Sequence, residues 1–240
     1  MRIVRYVTPM ESLLLPSKIR YTKGERPHEG MLTVEPCSPG YGTTIGNALR
    51  RVLLSSLPGA AVTAVKIKGV DHEFSAMKHV KEDVLEIILN LKSLRLKLHG
   101  EEPVKLFLSV KGEKVVTAGD FDKDAQVEIV NPDMVIATLT DKAASLEMEI
   151  TVGPGRAYRS TEDRVKEKLE LGNIAIDALY SPVLNVSYKV EATRVGEKTD
   201  YDKLVLRVET DGSITASDAI RQAVAILLDH VNLLTNIEEE

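Results

Sequence analysis

The sequence predicts an α+β fold built mainly of antiparallel sheet. Short β-rich segments recur along the 240 residues, punctuated by Gly, Asp, Asn and Pro. Around Val65-Lys66-Ile67-Lys68 apolar and charged residues alternate, as in a sheet with one wet face. Only a few segments carry apolar residues at helical spacing, and no run of strand–helix–strand units follows the first of them.

In chain order, residues 31–34 form a short strand leading into a glycine-bearing turn. Residues 41–59, YGTTIGNALRRVLLSSLPG, then form an amphipathic helix. At about 100° per residue, Ile45, Ala48, Leu49, Val52, Leu53 and Leu57 fall on one side, a buried face. The opposite side carries Asn47, Arg50, Arg51 and Leu54. A leucine set among two arginines and an asparagine has the composition of an interface anchor with a polar rim. It equally fits a single exposed leucine between solvated charges.

Further strands are expected at 61–68, 94–98, 104–110, 114–117, 126–130, 135–139 and 146–152. Turns fall at Gly100, Lys111-Gly112, Gly119-Asp120, Asn131-Pro132 and Gly153-Pro154-Gly155, and Tyr180-Ser181-Pro182 reads as another. Strands at 183–194 and 203–210 are joined through the polar stretch 196–202, which resembles a hairpin. A helix over 81–92 places Val84, Leu85, Ile87, Ile88 and Leu91 at helical spacing, with Glu82 and Asp83 at its positive end. Residues 160–171 can form a helix but are mostly charged, so they read as a solvated surface piece.

The last helix opens at Thr215, an N-cap paired with Asp218 three residues on. Ile220, Val224, Leu227, Val231 and Leu234 recur at steps of four and three, a heptad seam. Ala216, Ala219, Ala223 and Ile226 widen its apolar surface beyond the roughly 100° arc that one sheet requires. Either a central core helix or a subunit interface fits.

Composition narrows the function. A net charge of −5 argues against a basic footprint for nucleic acid. Cys37 stands alone, excluding an internal disulfide and a thiolate zinc site. His28, His72, His79, His99 and His230 lack metal-ligand spacing, so no metal or cofactor is expected. No apolar run approaches a membrane span, and the N-terminus lacks a signal peptide's apolar stretch, so a cytoplasmic protein is expected. Gly40-Tyr41-Gly42-Thr43-Thr44-Ile45-Gly46 invites comparison with a dinucleotide-binding loop, but its spacing is one residue too long and no Gly-Lys-Ser/Thr closes a P-loop. A nucleotide-binding enzyme is therefore a second reading, motivated by that turn alone. No catalytic constellation is present: Asp and Glu are patternless, and G-x-S-x-G and H-E-x-x-H do not occur.

The segment GTTIGNALRRVLLSSLPGAAV closely resembles the signature of the alpha subunit of bacterial RNA polymerase. The resemblance continues through HEFS, VKEDVLEIILNLK, VEIVNPDMVIATLTD, GRAY, IDALYSPV, VEATRVGEKTDYDKLVLRVETDGSI and ASDAIRQAVAIL, in the expected order over essentially the whole chain. It implies a non-catalytic platform that homodimerises and nucleates assembly of the beta and beta-prime subunits, with omega and sigma in the full complex. DNA would be met only through that complex. The implied fold is a discontinuous dimerisation module, an antiparallel sheet with two long helices over 1–58 and 182–240, with an inserted mostly-β domain at 59–181. The implied beta contacts are Asn47, Arg50, Arg51, Leu54 and Lys92, with Arg51 matching the family's beta-contact arginine. The implied dimer contacts are Ile45, Leu49, Val52, Leu53, Ile220, Val224, Leu227, Val231 and Leu234. The family commonly has leucine-glutamate-arginine where this chain has Cys37-Ser38-Pro39. Family members also usually continue into a small C-terminal helical domain that meets promoter DNA and activators. The 240 residues stop at Glu240 without one, so DNA binding is not expected of this chain.

Overall fold

The computed structural model describes residues 13–164 and 172–236. Its elements in order are β1 (Lys18–Lys23), β2 (Glu29–Cys37), α1 (Tyr41–Ser55), β3 (Pro58–Ile67), α2 (Val84–Lys92), β4 (Leu96–Leu98), β5 (Val104–Lys111), β6 (Lys114–Thr117) and β7 (Val127–Ile129). Then come β8 (Val135–Leu139), β9 (Ser145–Arg156), β10 (Tyr158–Arg159), β11 (Ile174–Ala175), β12 (Ala178–Leu179), β13 (Val183–Val195), β14 (Lys198–Thr210) and α3 (Ala216–Leu233). The α+β class holds, with antiparallel pairing in every ladder among the described residues.

The two ends of the chain meet in one four-stranded sheet, ordered β1-β2-β14-β13. Alternation sets its faces. Leu204, Leu206 and Val208 of β14 are buried, whereas Lys203, Val205 and Arg207 lie on the opposite face, which carries the Lys203–Glu191 and Arg207–Glu29 ion pairs. α1 and α3 cover the apolar face. Leu49, Leu53 and Leu57 pack with Val183, Val186, Leu206, Val208, Ala219, Ile220 and Ala223 in one core.

The middle of the chain forms a larger sheet, ordered β5-β9-β3-β4-β7, with β11 also paired to β3. Its core is separate, running from Val62 through Ile87, Leu91 and Ile150 to Ile176, and α2 packs on it. At α2 the Asp83 side chain accepts from the Glu86 N–H at 2.7 Å, a regular N-cap. Glu82 turns away instead and accepts from the N–H and hydroxyl of Thr138 on β8.

Several expectations change. Residues 31–34 extend to a nine-residue strand, because β2 pairs on both sides, with β1 and β14. β1 was not expected: Ile19 and Tyr21 alternate with Lys18, Arg20 and Thr22, but the strand is short and all six of its residues are exposed. Gly153-Pro154-Gly155 is strand rather than loop: it continues β9 against Gly59 to Ala61. Beyond Val152 the ladder to β5 has ended, so proline there forfeits no bond on that side. The β13–β14 turn is tight, with Val195 opposite Lys198, so β14 begins five residues before the expected Lys203. Of the apolar residues at helical spacing in α2, Val84, Ile87, Ile88 and Leu91 are buried and Leu85 is exposed. Of the expected helix at 160–171, Glu162–Arg164 is a single 3-10 turn and 165–171 lie outside the described residues.

Tyr180-Ser181-Pro182 is where the two sheets are tied. The buried Tyr180 packs with Ala61 and Ala178 over β3. A Cβ on Gly59 would sit 1.8 Å from the Tyr180 carbonyl oxygen, so β3 can pass only as glycine. Gly59→Ala should therefore destabilise the chain by more than about 2 kcal/mol, with backbone displaced at Tyr180. Urea unfolding checks this, and a cost below 0.5 kcal/mol would contradict it.

Candidate subunit-contact surface

α1 starts at Gly40, which lies in the left-handed region at φ 86 and offers no side chain for a cap. The cap comes from β14. Asp202 Oδ2 accepts from the Gly40 and Gly42 N–H groups at 2.9 and 3.0 Å. These are the groups that would have to cradle a phosphate, so the nucleotide reading loses its one structural basis. Beneath the turn, burial pushes the Cys37 thiol pKa up, and the nearby Asp202 carboxylate pushes it further. At the other end, Arg156 Nη1 donates to the Ser56 carbonyl at 2.9 Å, placing a cation at the helix's negative pole. The residue comes from the Gly155-Arg156 segment that the sequence leaves as a loop.

α1 has two faces, as its periodicity requires. Leu49 and Leu53 are buried in the chain's own core, with Ile45, Ala48 and Val52 half-buried at the margin. Asn47, Arg51 and Leu54 are exposed and Arg50 is half-buried. Among the described residues no carboxylate pairs with Arg51. Thr43, Thr44, Asn47, Ala48, Arg51 and Val52 line a shallow groove closed on one side by Leu227 of α3.

Lys92 stands apart, as the last residue of α2 on the larger sheet. Its ammonium meets Asp177 Oδ2 at 3.2 Å, and Asp177 Oδ1 accepts from the Thr161 N–H. That backbone bond, then Lys92, holds the Asp177 carboxyl below its ordinary range against partial burial. Leu85 and Leu89 are exposed on the same helix. With Lys92 they follow steps of four and three, forming an outward stripe on α2.

α3 begins as expected: the Thr215 hydroxyl oxygen accepts from the Asp218 N–H at 3.1 Å and the hydroxyl donates to Asp218 Oδ2 at 2.7 Å. Its heptad seam, however, is divided. Ala216, Ala219, Ile220 and Ala223 face the sheet, Leu227 is half-buried, and Val224, Leu228, Val231, Leu233 and Leu234 are exposed. Leu49, Leu53 and Ile220, grouped by sequence with the dimer contacts, thus point into the core of their own chain.

Residues 65–181 match the family of the RNA polymerase Rpb3/RpoA insert domain. The chain is 54% identical over 210 residues to the DNA-directed RNA polymerase subunit alpha of Alkaliphilus oremlandii, covering 88% of this chain and 66% of that one. It is 53% identical over 210 residues to the same subunit of Moorella thermoacetica, covering 88% and 67%. This chain belongs to the RNA polymerase alpha-subunit family. It spans about two thirds of the length of these curated relatives.

Within this alpha-subunit chain, the matched insert contains Lys92, whereas Asn47, Arg50, Arg51, Leu54 and all of α3 lie outside it. Among the described residues no group of His, Cys, Asp or Glu could hold a metal, and no helix is long and apolar enough to cross a membrane. Adjacent leucines test the division of α1. Leu53 is 0% exposed and Leu54 36%. Leu53→Ala should cost about 2–5 kcal/mol in urea unfolding and Leu54→Ala less than about 0.5 kcal/mol. Equal costs would refute the assignment of faces.

Proposed function

We propose that this chain is a non-catalytic scaffold subunit of DNA-directed RNA polymerase, the nucleotidyltransferase complex that transcribes DNA into RNA. It pairs with a second copy of itself, and the dimer recruits the beta and then the beta-prime subunit in the cytoplasm. The observation that carries this reading is the distal half of α3. From Val224 onward most of its large apolar side chains are uncovered, with Val231 49% and Leu234 71% exposed. A continuous stripe of that kind on a projecting helix differs from the scattered apolar residues of an ordinary surface. A second copy related by a two-fold axis covers it, each α3 lying along the α1–α3 groove of the other. Val224, Leu227, Val231 and Leu234 then make the contact, with Ile45 and Val52 at its edge. Leu49, Leu53 and Ile220 support it from beneath.

The outward face of α1 takes the large subunits. Arg51 supplies a free guanidinium, a group enriched at interface hot spots, and Leu54 an apolar side chain next to it, with Asn47 and Arg50 beside them. Lys92 contributes from the insert. Two identical copies present this face twice, so beta and beta-prime each take one and the copies differ in role. Omega and sigma join the full complex, and DNA is met through it. The separate cores support a division into a discontinuous dimerisation module, 1–58 with 182–240, and an insert at 59–181. The membership of the chain in the alpha-subunit family supports the partners.

The wild-type chain should scatter light as a dimer of the 26.4 kDa protomer at micromolar concentration. Val231→Glu should yield the monomer, because a carboxylate buried unpaired in that contact costs several kcal/mol. A wild-type monomer overturns the dimer. Arg51→Ala should keep the dimer and lose co-purification with the beta subunit, and undiminished co-purification overturns the contact site.

A further inference from the structure

The first turn of α1 contains no acidic residue, and Gly40 provides no cap of its own. Helix N-termini leave four N–H groups without intrahelical partners. Here Asp202, 160 residues beyond Gly42, supplies one oxygen to two N–H groups of this end, those of Gly40 and Gly42. Two backbone features bring it there. The β14–β2 register shifts between Asp202 and Leu204, a bulge that re-aims the strand beside Cys37. A Cβ on Gly42 would lie 3.0 Å from both Cβ and Oδ2 of Asp202, closer than the site can hold without the carboxylate giving way. The close approach, the left-handed Gly40 and the bulge all serve the same pair of bonds.

We propose that Asp202 is the positioning residue of the assembly face. It is a helix cap delivered across the fold, fixing the first turn of α1 and hence the placement of Asn47, the first residue of its exposed outward face. The inference rests on the reading of α1 as the contact surface. Asp202 touches no partner itself: it acts through the helix, and its negative charge at the positive pole adds to the two bonds. Because both bonds end on one oxygen, an asparagine carbonyl can accept both, whereas alanine accepts neither.

Hydrogen exchange over residues 40–46 and affinity for purified beta subunit, measured on the full chain, test this. D202A should speed exchange in that segment and weaken beta binding, each by about tenfold, the effect of losing hydrogen bonds to a charged group. Protection at Leu204 and Leu206 and the dimer mass should stay as in wild type. D202N should return both readouts to within about threefold of wild type, since it keeps the bonds and loses only the charge. A general loss of stability would not be reversed by asparagine in this selective way. Unchanged exchange in D202A, wild-type beta affinity in D202A, or D202N as impaired as D202A each overturns the proposal. If D202A does not fold, D202N decides: near-wild-type protection over 40–46 supports the cap, and full exposure there overturns it. R51A run in parallel separates the two ideas. If R51A binds beta normally the contact reading fails, while the exchange result still judges the cap.

Discussion

The four-stranded sheet has one apolar face, and two helices must share it. α1 takes the centre through Leu49, Leu53 and Leu57 over Leu206 and Val208. That leaves α3 a strip it covers with small residues, Ala216, Ala219 and Ala223, together with Ile220. At about 1.5 Å per residue, the packed stretch from Ala216 to Ala223 extends about 12 Å. The helix then runs on for about 15 Å more, where Leu227 still touches the core but Val224, Leu228, Val231 and Leu233 are exposed. The overhang follows from that shortage of sheet, and so does the need for another surface to cover it.

The larger sheet has no such shortage. Its apolar residues close into a core under α2, from Val62 to Ile176, and its exposed strand positions carry ion pairs such as Lys97–Glu128 at 3.9 Å. Between the two bodies the connections are short. β3 follows α1 directly, Arg156 of β9 reaches back to the Ser56 carbonyl, and Tyr180 closes over Gly59. The helix that bears Arg51 and Leu54 is therefore held at its C-terminal end by the larger sheet and at its N-terminal end by Asp202.

Those two anchors also explain the glycine turn. Its backbone N–H groups do resemble an anion site, and an anion does occupy them, but it is a side chain of the same protein. Spacing alone could weaken the phosphate reading. Only the approach of β14 to Gly42 shows what the turn receives.

Periodicity and composition by themselves determined the α+β class, the three helices, the cap at Thr215 and the opposite faces of α1, because these depend on neighbours close in sequence. They missed β1, a short strand whose six residues are all exposed, and the strand through Gly153-Pro154-Gly155, where pairing with β3 overrides local turn chemistry. The heptad on α3 was legible, but not that Ile220 is used at home while Val231 is left bare, because that depends on how far the sheet reaches. That Leu85 and Leu89 stand exposed likewise depends on the position of α2 on its sheet. The sequence alone could mark Arg51 and Leu54 as an outward face. Which groups hold that face in place, Asp202 and Arg156, only tertiary structure decided, since each acts across a hundred residues or more of chain.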